Sequence, residues 1–238
     1  MQSYIRNFKR ATAVAAGLEQ RGYRGGYRET ANGYLYQKEI TGDLEVQLLF
    51  TQKGDTLGRV GLLLGSREVS RAMHSLGLFL GEGVSPVEDH EVVVAVELLW
   101  LRWNREPERA EEYENDYQFG TERGVRRFFE DLDTVGQDFI AAVTTPRAMA
   151  DLLSNLDRYP CHISWGGKPG SVFPYIYATI LYMQLGDKAR AKEVLDQGWR
   201  EHQFPKPRQE WQNVQMLNYQ TRRMILLRQM GMVEGNKG

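Results

Sequence analysis

The chain has 238 residues, 42% of them hydrophobic and 26% charged, with 30 Lys+Arg against 31 Asp+Glu. These globular values exclude disorder and collagen-like repeats, and the length suffices to bury a sizeable core. Mean hydropathy is −0.51 and no apolar run is long enough to cross a bilayer, so no membrane association is expected. The lone cysteine, Cys161, excludes an internal disulfide or a thiolate metal cluster. Met1–Arg6 lacks the apolar stretch of a secretion signal, and the expected setting is the cytoplasm.

Ser3 to Gly22 reads as an amphipathic helix, with Ile5, Phe8, Ala11, Ala15 and Leu18 at helical spacing and Gly22 as the stop. The period then changes to two. Asn32-Gly33 predicts a two-residue hairpin between strands Tyr27–Ala31 and Tyr34–Ile40. Leu44, Val46, Leu48 and Phe50 alternate with polar residues in a third strand, and Arg59–Leu64 supplies a fourth. After Gly65 the pattern is helical throughout. Ser66 caps one helix, and Ser85-Pro86-Val87-Glu88 opens another that carries Val92, Val93, Val96, Leu99, Trp100 and Trp103. The β-branched run Val92–Val94 also suits a buried strand. Further helices fit Gly124–Val143, Pro146–Leu156, Pro174–Leu185 paired with Lys188–Trp199, and Gln209–Met230.

The expected fold class is α+β: an N-terminal helix plus antiparallel β-meander, followed by a mostly α-helical C-terminal part. The units are 1–81, 82–158 and 159–238, packed together as one body, with the Gly- and Pro-rich stretch between Arg158 and Pro174 as the main break.

Motifs of catalysis are absent. Gly166-Gly167-Lys168-Pro169-Gly170-Ser171 has proline where a phosphate loop needs Ser or Thr after its lysine, so it reads as a turn. His74, His90, His162 and His202 are scattered, and Cys161 beside His162 does not make a nucleophile–base pair. No catalytic residue, metal ligand or cofactor is assigned. Arg21-Gly22-Tyr23-Arg24-Gly25-Gly26-Tyr27-Arg28 has the composition of a nucleic-acid contact, but the helix-to-strand junction has its own use for each residue.

Charge becomes informative once it is divided along the chain. Residues 1–42 carry +4, 43–81 are neutral, 152–186 carry +1 and 187–238 carry +4, whereas 82–151 hold seventeen acidic and seven basic residues, −10. The densest part runs from Glu106 to Tyr117. Either it is a solvated connector, or Glu106, Glu108, Glu111, Glu112, Glu114 and Asp116, with Tyr113 and Tyr117 as anchors, form an acidic face that captures a basic protein. The same acidic centre repels phosphate, so nucleic acid is not the expected partner.

Ala178, Leu185-Gly186-Asp187 and Ala191 resemble the turn of a tetratricopeptide-type helical hairpin. The order of helix, meander with Tyr34–Ile40 and Leu44–Gln52, acidic middle and terminal hairpin resembles uncharacterised bacterial proteins among toxin-immunity factors. That resemblance implies a cytoplasmic, non-catalytic protein that binds a cognate toxin with a basic surface and occludes its active site. Two alternatives stand beside it. A helical adaptor or chaperone for a secreted protein would expose Tyr175 and Tyr182 in a docking groove. An enzyme acting on a nucleotide or small metabolite would converge ionisable groups such as His162 and Lys168 on a pocket. Met216, Leu217, Met224, Leu227 and Met230 read as core, with a homodimer seam as the alternative.

Overall fold

In the computed structural model the residues described are 11–28, 33–53, 57–78, 91–108, 117–155, 173–201 and 210–232. Helix α1 (Ala11–Gln20) buries Val14 and Leu18 and ends at Gly22, where the Tyr23 amide returns to the Leu18 carbonyl and seats Tyr23 in the core. That seat fixes the entry to strand β1 (Arg24–Arg28), which pairs with β2 (Gly33–Glu39) from Arg24 opposite Gln37 to Arg28 opposite Gly33. Gly33 is therefore inside the ladder, and the connection is residues 29–32 rather than the expected two-residue Asn32-Gly33 turn. The anchored start of β1 decides the register over the local turn signal.

Strands β3 (Leu44–Lys53) and β4 (Leu57–Ser66) continue the meander as the alternation predicts. Tyr36, Leu48 and Leu62 stand in one cross-strand row, and Phe50 lies opposite Val60 in the next. All five are buried on the face that receives the helices. Ser66 caps α2 (Arg67–Ser75) by accepting from the Val69 amide at 3.2 Å, as its position in the sequence predicts.

The next element departs from expectation. Glu91–Glu97 is strand β5, antiparallel to β4, and Leu98–Arg105 is helix (α3); the expected start at Ser85–Glu88 lies outside the described residues. A register shift at Leu64/Gly65 lets Val93 and Val94 both be buried, so the segment shows neither helical nor alternating spacing. Strand β6 (Tyr117–Gln118), which the sequence reading lacked, pairs with Leu57–Gly58 of β4. The sheet order is β1-β2-β3-β4-β5, with β6 beside β4.

The expected helix Gly124–Val143 is α4 (Glu122–Asp131), a π-turn (Leu132–Gly136) and α5 (Gln137–Ala142). Helix α6 (Pro146–Leu153) starts under a Thr145 cap. Helices α7 (Phe173–Gln184) and α8 (Lys188–Glu201) form the expected hairpin. Its turn is closed by Gly186 at φ +75°, and the Asp187 amide returns to the Tyr182 carbonyl. Asp187 then caps α8 by accepting from the Arg190 amide. Helix α9 (Glu210–Gln229) lies along α8, tied by Tyr219 Oη donating to the Leu195 carbonyl at 2.7 Å and by Arg223 on Asp196 at 2.8 Å. The protein is α+β with a helical majority, and among the described residues no helix is long and apolar enough to cross a membrane.

Candidate functional site

The acidic stretch singled out in the sequence leaves α3 and returns at β6, and one polar cluster grips both ends. Arg102 reaches from α3 to Asp131 at the end of α4, with Nε–Oδ1 at 2.7 Å and a second guanidinium nitrogen at 2.6 Å. The same arginine holds Glu106 at 2.9 Å and donates to Thr134 Oγ1 at 3.1 Å. Tyr117, on β6, donates its hydroxyl to Asp131 Oδ2 at 2.9 Å. Asp131 is thus filled by two partners from two elements, and its side chain is only 3% exposed.

Local sequence explains the geometry. Thr121 caps α4 by accepting from the Gly124 amide at 3.0 Å. Gly124 lies so close to β6 that a Cβ there would stand 2.0 Å from the Gln118 carbonyl oxygen, so only glycine lets α4 approach. Tyr117, Phe119 and Phe128 pack edge to face or tilted at 5.5–5.7 Å, with Phe50 beneath them. Thr134 donates to the Glu130 carbonyl at 2.6 Å inside the π-turn while it receives Arg102, which joins the irregular turn to the cluster.

The electrostatics follow from burial. Desolvation pushes the Tyr117 phenol well above its ordinary value, and the Asp131 charge reinforces the shift. Burial pulls the Arg102 guanidinium down, but Asp131 and Glu106 outweigh it and leave the pKa raised. This is a charge-pairing core, and its chemistry is that of a fastener.

The predicted site residues separate accordingly. Glu106 is at the cluster, half-buried on Arg102, and Glu108 is exposed at the next turn. Tyr117 corrects the reading of an exposed anchor: at 1% exposure, its ring packed on Phe119 and Phe128, it cannot meet a partner. Glu111, Glu112, Tyr113, Glu114 and Asp116 lie outside the described residues, as do Cys161, His90, His162, His202 and the Gly166–Ser171 turn. Asp131, Arg102 and Thr134 were missed. The available signal was an aspartate at the same helical face as Phe128 and Val135, a position where an unpaired carboxylate is costly.

Arginines also pair with several carboxylates of the acidic third. Asp133 pairs with Arg21 at 2.5 Å, Asp138 with Arg105 at 2.6 Å, Glu97 with Arg59 at 3.5 Å and Glu130 with Arg126 at 3.7 Å. The surplus of negative charge is left densest in residues 108–116, with five acidic side chains to one basic. Arg21 also lies over the Phe129 ring at 4.2 Å and Tyr23 is in the core, so two members of the basic-aromatic stretch serve the fold. Tyr182 is 0% exposed, which removes it from the docking groove an adaptor would need. Among the described residues no group of three His, Cys, Asp or Glu side chains is placed to hold a metal ion. Set against models of known families, curated proteins and solved structures, the chain has no match.

Proposed function

We propose that this protein is a non-catalytic, cytoplasmic immunity protein that neutralises a cognate bacterial toxin by covering its basic active site, with residues 106–116 as the recognition element. The observation that carries the reading is the double anchorage of that segment. Its first end is held by Glu106 on Arg102, and its far end by Tyr117 on the same Asp131 that Arg102 grips. Fixing both ends of a short charged stretch lowers the ordering cost of binding, which favours recognition over a freely moving connector. The ion pairs around it offset neighbouring helix charge, so the field directed at a partner is local and negative.

The test uses the intact chain and a Glu111→Lys/Glu112→Lys/Glu114→Lys variant, each as bait in cells that make the protein. The expected result is a stoichiometric basic protein whose toxicity the wild type abolishes. Its association with the variant should be slowed at least ~tenfold, with a weaker dependence on salt. Equal capture and equal on-rates for both baits, or no toxicity in the captured protein, overturns the reading.

A further inference from the structure

Two features are left over from the fold and the Asp131 cluster. One is on α9, where Leu227 and Met230 are in the core as the sequence predicts but Leu217 is 63% exposed. The other is the π-turn Leu132–Gly136, whose polar side chains are held from two sides at once.

Asp133, inside the turn, is gripped by Arg21 from the end of α1, with Nε–Oδ1 at 2.7 Å and a second guanidinium nitrogen on Oδ2 at 2.5 Å. Arg21 is itself oriented, because its remaining nitrogen donates to the Gly17 carbonyl at 2.9 Å while the guanidinium lies over the Phe129 ring. Gly17 makes that seat possible: a Cβ there would stand 2.3 Å from the same ring. One residue beyond Asp133, Thr134 receives Arg102 from α3, and Asp131, just before the turn, takes the same guanidinium. Packing closes the inner side. Leu132, Val135 and Gly136 are buried, and a Cβ on Gly136 would stand 3.1 Å from Leu98 Cδ1 of α3.

Neighbours Asp133 and Thr134 are thus pulled by arginines from two different elements, in the one stretch of α4–α5 where the helical ladder is irregular. Such a stretch is where a helix changes its winding, and it marks a hinge more often than a rod. When two grips share a hinge, loss of one is felt at the other. The far end of the Arg102 grip is Glu106, the root of the acidic segment. Arg105 supplies the contrast: its partner Asp138 is past the turn in α5, and the two side chains are 53% and 68% exposed.

We propose that the π-turn couples α1 to the root of residues 106–116. By holding Asp133, Arg21 fixes the winding in which Asp131 and Thr134 meet Arg102, which makes it a positioning residue for Glu106. The proposal deepens the reading of 106–116 as a recognition element and rests on it for its purpose. The coupling itself is measured in the chain alone, without a toxin, so the two fail separately.

The test is amide hydrogen exchange of the full chain, followed by NMR, in the wild type, Arg21→Ala, Asp133→Ala and Arg105→Ala. The probe is the Glu106 amide, bonded to the Arg102 carbonyl at 3.0 Å; the reference is the Ala191 amide of α8, bonded to the Asp187 carbonyl at 2.9 Å. Relative to Ala191, exchange at Glu106 should rise at least ~tenfold in Arg21→Ala and Asp133→Ala, but less than ~threefold in Arg105→Ala, although Arg105 adjoins Glu106 in the chain. The Asp133 side chain is 44% exposed, so Asp133→Ala removes the grip without opening the core and decides the matter should Arg21→Ala fold poorly. Exchange at Glu106 that Asp133→Ala leaves unchanged, that rises only together with Ala191, or that Arg105→Ala raises equally, overturns the proposal.

Discussion

Two parts of the molecule use the same three side-chain types in different ways. In the middle third, Tyr117 donates to Asp131 and Arg102 grips that carboxylate, with the aspartate side chain 3% exposed and the arginine 15% exposed. At the foot of the C-terminal hairpin, buried Tyr182 donates to Asp151, and Arg147 and Arg190 stand over the phenol ring at 5.4 and 5.8 Å. There the arginines give their charge elsewhere, Arg147 to Asp187 at 2.9 Å and Arg190 to Glu193 at 2.7 Å, and Asp151 is exposed. Composition is shared; solvent access is not. A Tyr–Asp–Arg trio locks elements together only when its carboxylate is withdrawn from water, because only then does losing one member strand the others.

That contrast is open to measurement. Asp131→Ala leaves Arg102 and Tyr117 facing a vacated carboxylate site, and we expect a loss of about 3–5 kcal/mol in urea unfolding; a loss below ~1 kcal/mol would place the pair among surface contacts. Tyr117→Phe keeps the ring packing and removes one hydrogen bond to a charged group, an expected loss of about 1.5–3 kcal/mol. Because the folded phenol pKa is raised, its stabilisation is complete below the ordinary value of 10.0 and fades as pH rises through the folded value. The fall in melting temperature above pH 10 should therefore be shallower in Tyr117→Phe, as followed by thermal scans. Asp151→Ala is the small member of the series, at about 1 kcal/mol or less, since the Asp151 carboxylate is exposed and Ser154 Oγ stands 3.5 Å from the Tyr182 hydroxyl as an alternative partner. Equal losses at Asp131 and Asp151 would break the comparison.

The meander and the α7–α8 hairpin are legible in the sequence because Leu44, Val46, Leu48 and Phe50 recur at every second position on the core face, and Leu185-Gly186-Asp187 marks the hairpin turn. β5 is hidden because the bulge buries neighbouring Val93 and Val94, which erases the period of two. Tyr117 was misread by its company, since an acidic run precedes it; the buried pair Tyr117 and Phe119, two residues apart, was the better guide to a short strand. The acidic run itself was plain in composition, but its fastening depends on Asp131, distant in sequence and meaningful only through Arg102.

The π-turn was invisible for a numerical reason. Phe128, Leu132, Gly136 and Ile140 recur every four residues, as do Asp131, Val135, Phe139 and Val143, and all of them are buried. A regular helix turns about 100° per residue, so a stripe counted in fours drifts about 40° at each step. The wide turn at Leu132–Gly136 absorbs that drift, and both halves of the helix face the same core.

A wide turn of this kind is equivalent to one residue inserted into a helix, looped out so that neither end has to rotate. The extra residue is therefore taken up without re-aiming Phe128 or Phe139. Loss of a residue elsewhere in α4 or α5 would swing one half of the apolar stripe toward solvent. Asp133 sits in that turn, 44% exposed and held by Arg21 from α1's end. Asp131, two residues earlier, faces the opposite environment, closed off from water between Arg102 and Tyr117.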